Sequence, residues 1–159
     1  MHPSKLKFVY LSIFAAYICL LLPWSNTALL LRPDFVLLVI IYWLIRAPNL
    51  CNIGTAWVVG LLVDLATGSL FGQYALAYTV AAFFAVYYQR RLVLFNHTQQ
   101  LFYVFLLLII SQVTLLILKM FAGAQSLGWT YLLPSIIGVL LWRLAVFFGL
   151  KTGGRSRGA

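Results

Sequence analysis

Long apolar runs separated by short polar breaks dominate the chain, and none of them alternates in the two-residue rhythm of a half-buried strand. Their spacing predicts six helices, at about 8–23, 33–45, 53–66, 74–88, 101–119 and 130–150. The breaks carry turn chemistry: Pro23-Trp24, Pro48 with Asn49 and Asn52, a glycine-rich stretch over 67–73, a polar stretch over 89–100 and Ala122 to Gly128. Arg32-Pro33-Asp34 reads as a helix start, because proline suits a first turn and an acid meets the positive end of the helix dipole. The first run has the basic flank of a signal peptide, but Pro23-Trp24 stands where a small-residue cleavage site would, so it reads as a retained helix.

Composition decides where these helices sit. A chain of 159 residues that is 64% hydrophobic and 8% charged cannot cover a water-soluble globule with polar surface. Helices satisfy their own backbone groups in lipid, and the runs lack the alternation of barrel strands. The expected fold is therefore all-α: a polytopic transmembrane bundle of about six helices forming a single domain over 1–150, followed by a flexible basic tail over 151–159. The third helix is short for a hydrocarbon core of ~30 Å, so a five-span arrangement in which it is re-entrant is the main competitor.

The formal charge of +9 reads as topology rather than as nucleic-acid binding. Lys5, Lys7, Arg46, Arg90, Arg91, Lys151, Arg155 and Arg157 fall on one side of a six-span chain, against Arg32 and Lys119 on the other. The positive-inside rule then predicts that both termini are cytoplasmic, with the basic side facing anionic lipid headgroups. Cys19 and Cys51 fall at opposite faces and imply no disulfide.

The candidate chemistry is sparse. Gly60, Asp64, Gly68 and Gly72 recur every four residues, so as a helix they share one face, with a carboxylate on the ridge where a neighbouring backbone approaches most closely. Ala77, Ala81 and Ala85 form a second small-residue stripe, the expected partner of that ridge. Asp64 should point inward, where Arg32 or Lys119 is placed to pair with it. Two readings stay open: a polar pocket or docking surface facing outward, and a buried ion pair that fixes helix register. Arg143, well inside the sixth helix, is placed to snorkel, to bind an anionic lipid head or to meet a partner carbonyl. His2 and His97 lack companions at metal-ligand spacing, and no nucleophile and base are brought together by motif, so neither a metal, a cofactor nor catalysis is expected.

Arg32-Pro33-Asp34, the Tyr42-Trp43 pair, the Asn52-Ile53-Gly54 entry to the third helix and the Gly60 to Gly72 pattern together resemble the MreD family over roughly residues 8–150. That resemblance implies a non-enzymatic, multi-pass scaffold of the bacterial inner membrane that binds MreC. Through MreC it would couple the MreB filament to peptidoglycan synthesis by RodA and its penicillin-binding transpeptidase, and so maintain rod cell shape. It also implies a likeness to the six-helix membrane subunits of energy-coupling-factor transporters. This keeps a second reading in view, a substrate-binding subunit of a vitamin-type transporter with its cavity near Asp64.

Overall fold

A computed structural model describes residues 3–23, 25, 34–92, 94, 96–123 and 133–153, all helix or connecting turn. Among the described residues six helices follow in order: α1 (Pro3–Leu21), α2 (Phe35–Arg46), α3 (Ile53–Thr67), α4 (Gln73–Leu92), α5 (His97–Phe121) and α6 (Leu133–Gly153).

Local chemistry explains where they start and stop. α1 opens on Pro3, whose fixed φ suits a first helical position, and ends two residues before Pro23, which disfavours helix in its predecessor. α2 begins at Phe35 because Asp34 is its N-cap, the carboxylate accepting from the Leu37 N–H at 3.4 Å. Arg32 and Pro33, expected in that first turn, lie outside the described residues, as do Trp24, Trp129, Tyr131 and the tail beyond Gly153.

Local chemistry also moves the ends of three helices. Asn96 gives its N–H to Gln99 Oε1 at 3.3 Å, which draws the polar residues from His97 to Gln100 into α5 rather than leaving them in a loop. α4 runs on through Arg90 and Arg91, and α6 through Lys151 to Gly153, since arginine, lysine and glutamine propagate a helix nearly as well as leucine. α3 starts where expected, its Asn52 N–H accepted by Thr55 Oγ1 at 3.3 Å.

Cross-links fix the directions. Asp34 meets Tyr78 at one end and the Leu44 carbonyl takes Gln89 Nε2 at the other, at 2.9 Å, so α2 and α4 run the same way. Phe84 O accepts from Tyr103 Oη at 2.7 Å while Lys119 reaches Tyr74, so α5 runs against α4. α1 docks on α2 and α3 through Trp43 Nε1 to Ser12 Oγ at 2.7 Å and Tyr17 Oη to Leu62 O at 3.0 Å. α2 and α4 form the central seam, with α1 and α3 packed to one side and α5 and α6 to the other. Val36, Leu37, Ile40, Ile41 and Leu44 of α2 are all buried there.

The outward faces are as apolar as the inward ones. Phe8, Phe14, Leu65, Phe83, Phe102 and Leu140 are exposed, and helices apolar on every side need apolar surroundings. Thr98–Phe121 has the length and composition to cross a membrane; Leu6–Leu21, Phe35–Arg46, Ile53–Thr67 and Leu133–Leu144 are apolar but shorter.

Candidate functional site

The two acids lie at one end of the bundle, and Arg46, Arg90 and Arg91 at the other. The acidic end is built by the turn from α3 to α4. α3 stops when Gly68 takes φ 63°, which turns the N–H groups of Gly68 and Ser69 back onto the Asp64 carbonyl. Gly72, at φ 99°, then turns the chain into α4. A Cβ at Gly68 or Gly72 would meet nothing within 4 Å, so these two glycines serve backbone conformation and not close packing. The expected ridge of four residues is thereby corrected: Gly60 and Asp64 share the helix face, and Gly68 and Gly72 belong to the turn.

Gly60 does lie against a neighbouring backbone. Its absent Cβ would stand 2.5 Å from the Cα of Ala75 and 2.9 Å from the Tyr74 carbonyl oxygen. The contact is with the first turn of α4, so the alanine stripe is not what meets this glycine. Ala77, Ala81 and Ala85 are nonetheless buried, on a helix that packs against α2, α3 and α5.

Asp64 is 1% exposed, and its carboxylate takes four donors. Oδ1 accepts from Ser69 Oγ and from the Tyr74 N–H, both at 2.8 Å. Oδ2 accepts from the Gly72 N–H at 2.9 Å and the Ala75 N–H at 3.3 Å. The side chain of α3 therefore caps α4, satisfying N–H groups that have no partner within that helix and placing a negative charge at its positive end. The expected ion pair is not what holds this acid. Arg32 lies outside the described residues, and the Lys119 ammonium stands 5.9 Å over the Tyr74 ring.

A tyrosine relay joins the acids. Tyr74, whose N–H binds Asp64, sets its ring edge-on to Tyr78 at 6.0 Å, and the buried Tyr78 donates its hydroxyl to Asp34 Oδ1. Neither tyrosine stands in a recognisable motif, and their four-residue spacing after Gly72 is the sequence signal of this contact.

Two further polar features lie elsewhere. Arg143 is exposed, on a stripe of α6 shared with Ile136, Leu140 and Leu144. Ser111 of α5 and Ser135 of α6 are buried with hydroxyls that make no hydrogen bond. Among the described residues no cluster of metal-ligating side chains forms.

Chemically, the Asp64 arrangement is a clamp. A carboxylate has about four acceptor positions, and here all are taken by the chain itself. No lone pair is left to activate a nucleophile or to ligate an ion.

The family model described as rod shape-determining protein MreD matches residues 4–151. Rod shape-determining protein MreD of Haemophilus influenzae is 28% identical over 138 residues, which cover 85% of this chain and 84% of that one. No solved structure matches the chain at a significant level.

Proposed function

The chain belongs to the MreD family of rod shape-determining proteins, and from that premise we propose that it acts as a non-enzymatic scaffold in the bacterial inner membrane, crossing it six times with both termini in the cytoplasm. The match over nearly the whole chain carries this reading. Its role is in rod shape determination. The outward apolar faces of α1, α3, α4, α5 and α6 support a lipid setting, since burial in a bilayer is what such faces require.

Its direct partner in this reading is MreC, and through it MreB, RodA and a penicillin-binding transpeptidase. A partner's transmembrane helix packs on lipid-facing helix surfaces by dispersion, because lipid offers no hydrophobic drive for association. The clamp from Asp64 to α4 serves this by holding α3 and α4 as one rigid unit. A transporter cavity at Asp64 gains nothing from the saturated carboxylate, whose acceptor positions are spent within the chain.

Depletion in a rod-shaped bacterium should round the cells while solute uptake is unchanged, and tagged protein should bring MreC with it from gently solubilised membranes. Rod morphology after depletion, or solitary protein under gentle extraction, overturns the corresponding half. Topology is read separately: single cysteines at Leu70 and Arg90 should label from opposite sides of the membrane.

A further inference from the structure

We propose that α2 and α6 hold the headgroup of an anionic phospholipid at the arginine end, between Arg46 and Arg143. The site rests on the membrane reading above, and three observations place it.

The first is charge. The chain contains two acids, Asp34 and Asp64, and both are held at the opposite end by Tyr78, the Leu37 N–H and the turn into α4. Arg46 is twelve residues along the same helix from Asp34, which is about 18 Å of rise. Neither acidic side chain reaches the arginine end, so Asp34 and Asp64 leave its guanidinium groups to an anion of another origin.

The second is level. The position of a Gly138 Cβ is 3.8 Å from Leu38 Cδ1, and Trp142 lies edge-on to Tyr42 at 5.9 Å, so α6 and α2 run side by side in the same direction with matched registers. Arg143 therefore stands at the level of residue 43, roughly one turn short of the end of α2. Arg46 does not extend away from it. Its guanidinium folds back over the Tyr42 ring, 5.6 Å from the centroid, into the layer that Trp142 and Arg143 occupy.

The third is exposure. Arg143 lies on the outward stripe of α6, flanked by exposed Ile136, Leu140 and Leu144, so its surroundings are acyl chains and not the bundle interior. Side chains on a helix lean toward its N-terminus. For α6 that lean is away from the arginine end, so Arg143 does not reach water merely by extending. A phosphate drawn down to it resolves the conflict. Guanidinium forks bind phosphate oxygens in pairs, and the half-buried Tyr42 ring under Arg46 supplies an amphipathic surface at the same level.

The test uses the full chain purified in detergent and exchanged into mixed micelles with phosphatidylglycerol or phosphatidylcholine of identical acyl chains, read by native mass spectrometry. Wild-type protein should retain phosphatidylglycerol preferentially, and R46Q and R143Q should each lower that preference by about fivefold. R143K, which keeps the charge, should hold most of it, and R90Q with R91Q should leave it unchanged. Excess inorganic phosphate should not displace the lipid. Equal retention of the two lipids by wild-type protein overturns the proposal, as does an equal loss in the R90Q/R91Q variant, which would make the effect one of general surface charge. Preferential capture of an acidic peptide segment of a co-purified protein by Arg46 and Arg143, read by crosslinking, also overturns it. Failure of the membrane reading appears instead in the Leu70 and Arg90 labelling, which the lipid experiment does not touch.

Discussion

Gly60 and Ala75 are in contact through backbone alone: a Cβ on the glycine would stand 2.5 Å from the Cα of the alanine, and the Ala75 N–H is one of the groups that Asp64, one turn further along α3, accepts at 3.3 Å. Closeness and capping are therefore one feature, since the carboxylate reaches the start of α4 only because Gly60 lets that start approach. Gly60→Ala should cost about 1–3 kcal/mol, as neither backbone can yield. Asp64→Asn, which exchanges an acceptor for a donor among four N–H or O–H partners, should cost about 2–4 kcal/mol. The double variant should lose less than the sum, because the first change already spoils the geometry of the second. Thermal unfolding in detergent measures all three; strict additivity would separate the two residues.

Gly68 tests the conformational half of the same turn. Its φ of 63° is open to glycine and tolerable for asparagine, and a Cβ there meets nothing. Gly68→Ala should lower stability by about 1 kcal/mol and Gly68→Asn by less. Equal losses would mean that side-chain contact, not backbone angle, sets the requirement.

The helices were legible because apolar runs of this length leave few alternatives, and the turn at 67–73 because its glycines interrupt one of them. Their ends were less so. Asn96 with Gln99 converts what reads as a loop into the first turn of α5, through a cap in which the Gln99 side chain accepts from the Asn96 N–H. Asp64 was legible as a buried inward-facing residue, but its partners were not. A reading that pairs side chains by charge finds Arg32 and Lys119, whereas three of the four donors are main-chain N–H groups that every residue carries. Gly60, Asp64, Gly68 and Gly72 kept their spacing while splitting between a helix face and a turn, because a four-residue period cannot say where the helix ends.

Tyr78 ties α4 to the N-cap of α2 through Asp34. Tyr78→Phe should remove one charge-assisted hydrogen bond and cost about 1–3 kcal/mol, with the ring packing on Tyr74 kept. Asp34→Asn should lose less in a Tyr78→Phe background than in wild type, by unfolding in detergent. Independent effects would show that the two groups do not act as a pair.

Ser111 and Ser135 make the opposite prediction. Each hydroxyl is buried without a partner, so its removal takes away an uncompensated polar group and adds no cavity larger than one oxygen atom. Ser111→Ala and Ser135→Ala should leave unfolding temperatures unchanged or raise them, by up to about 1 kcal/mol in stability. A clear loss in either would reveal a hydrogen bond supplied by a bound molecule.

Cys51 lies in the connection between α2 and α3, fully buried, and burial pushes its thiol up from an ordinary value near 9 to about 11. Reaction with a maleimide requires the thiolate and access to it. In a Cys19→Ser background the folded protein should resist labelling at neutral pH and gain reactivity about tenfold per pH unit toward 11. The linked stability runs the other way. Folding favours the protonated thiol, so the folded chain holds more protons than the unfolded one between the ordinary value and the raised one, and stability falls as pH climbs through that window. Below it, stability should be flat with respect to this group, and Cys51→Ala should abolish the alkaline decline attributable to it. Rapid labelling at pH 7 without unfolding would mean that the connection opens to solvent, and that the burial of Cys51 does not hold the ends of α2 and α3 together.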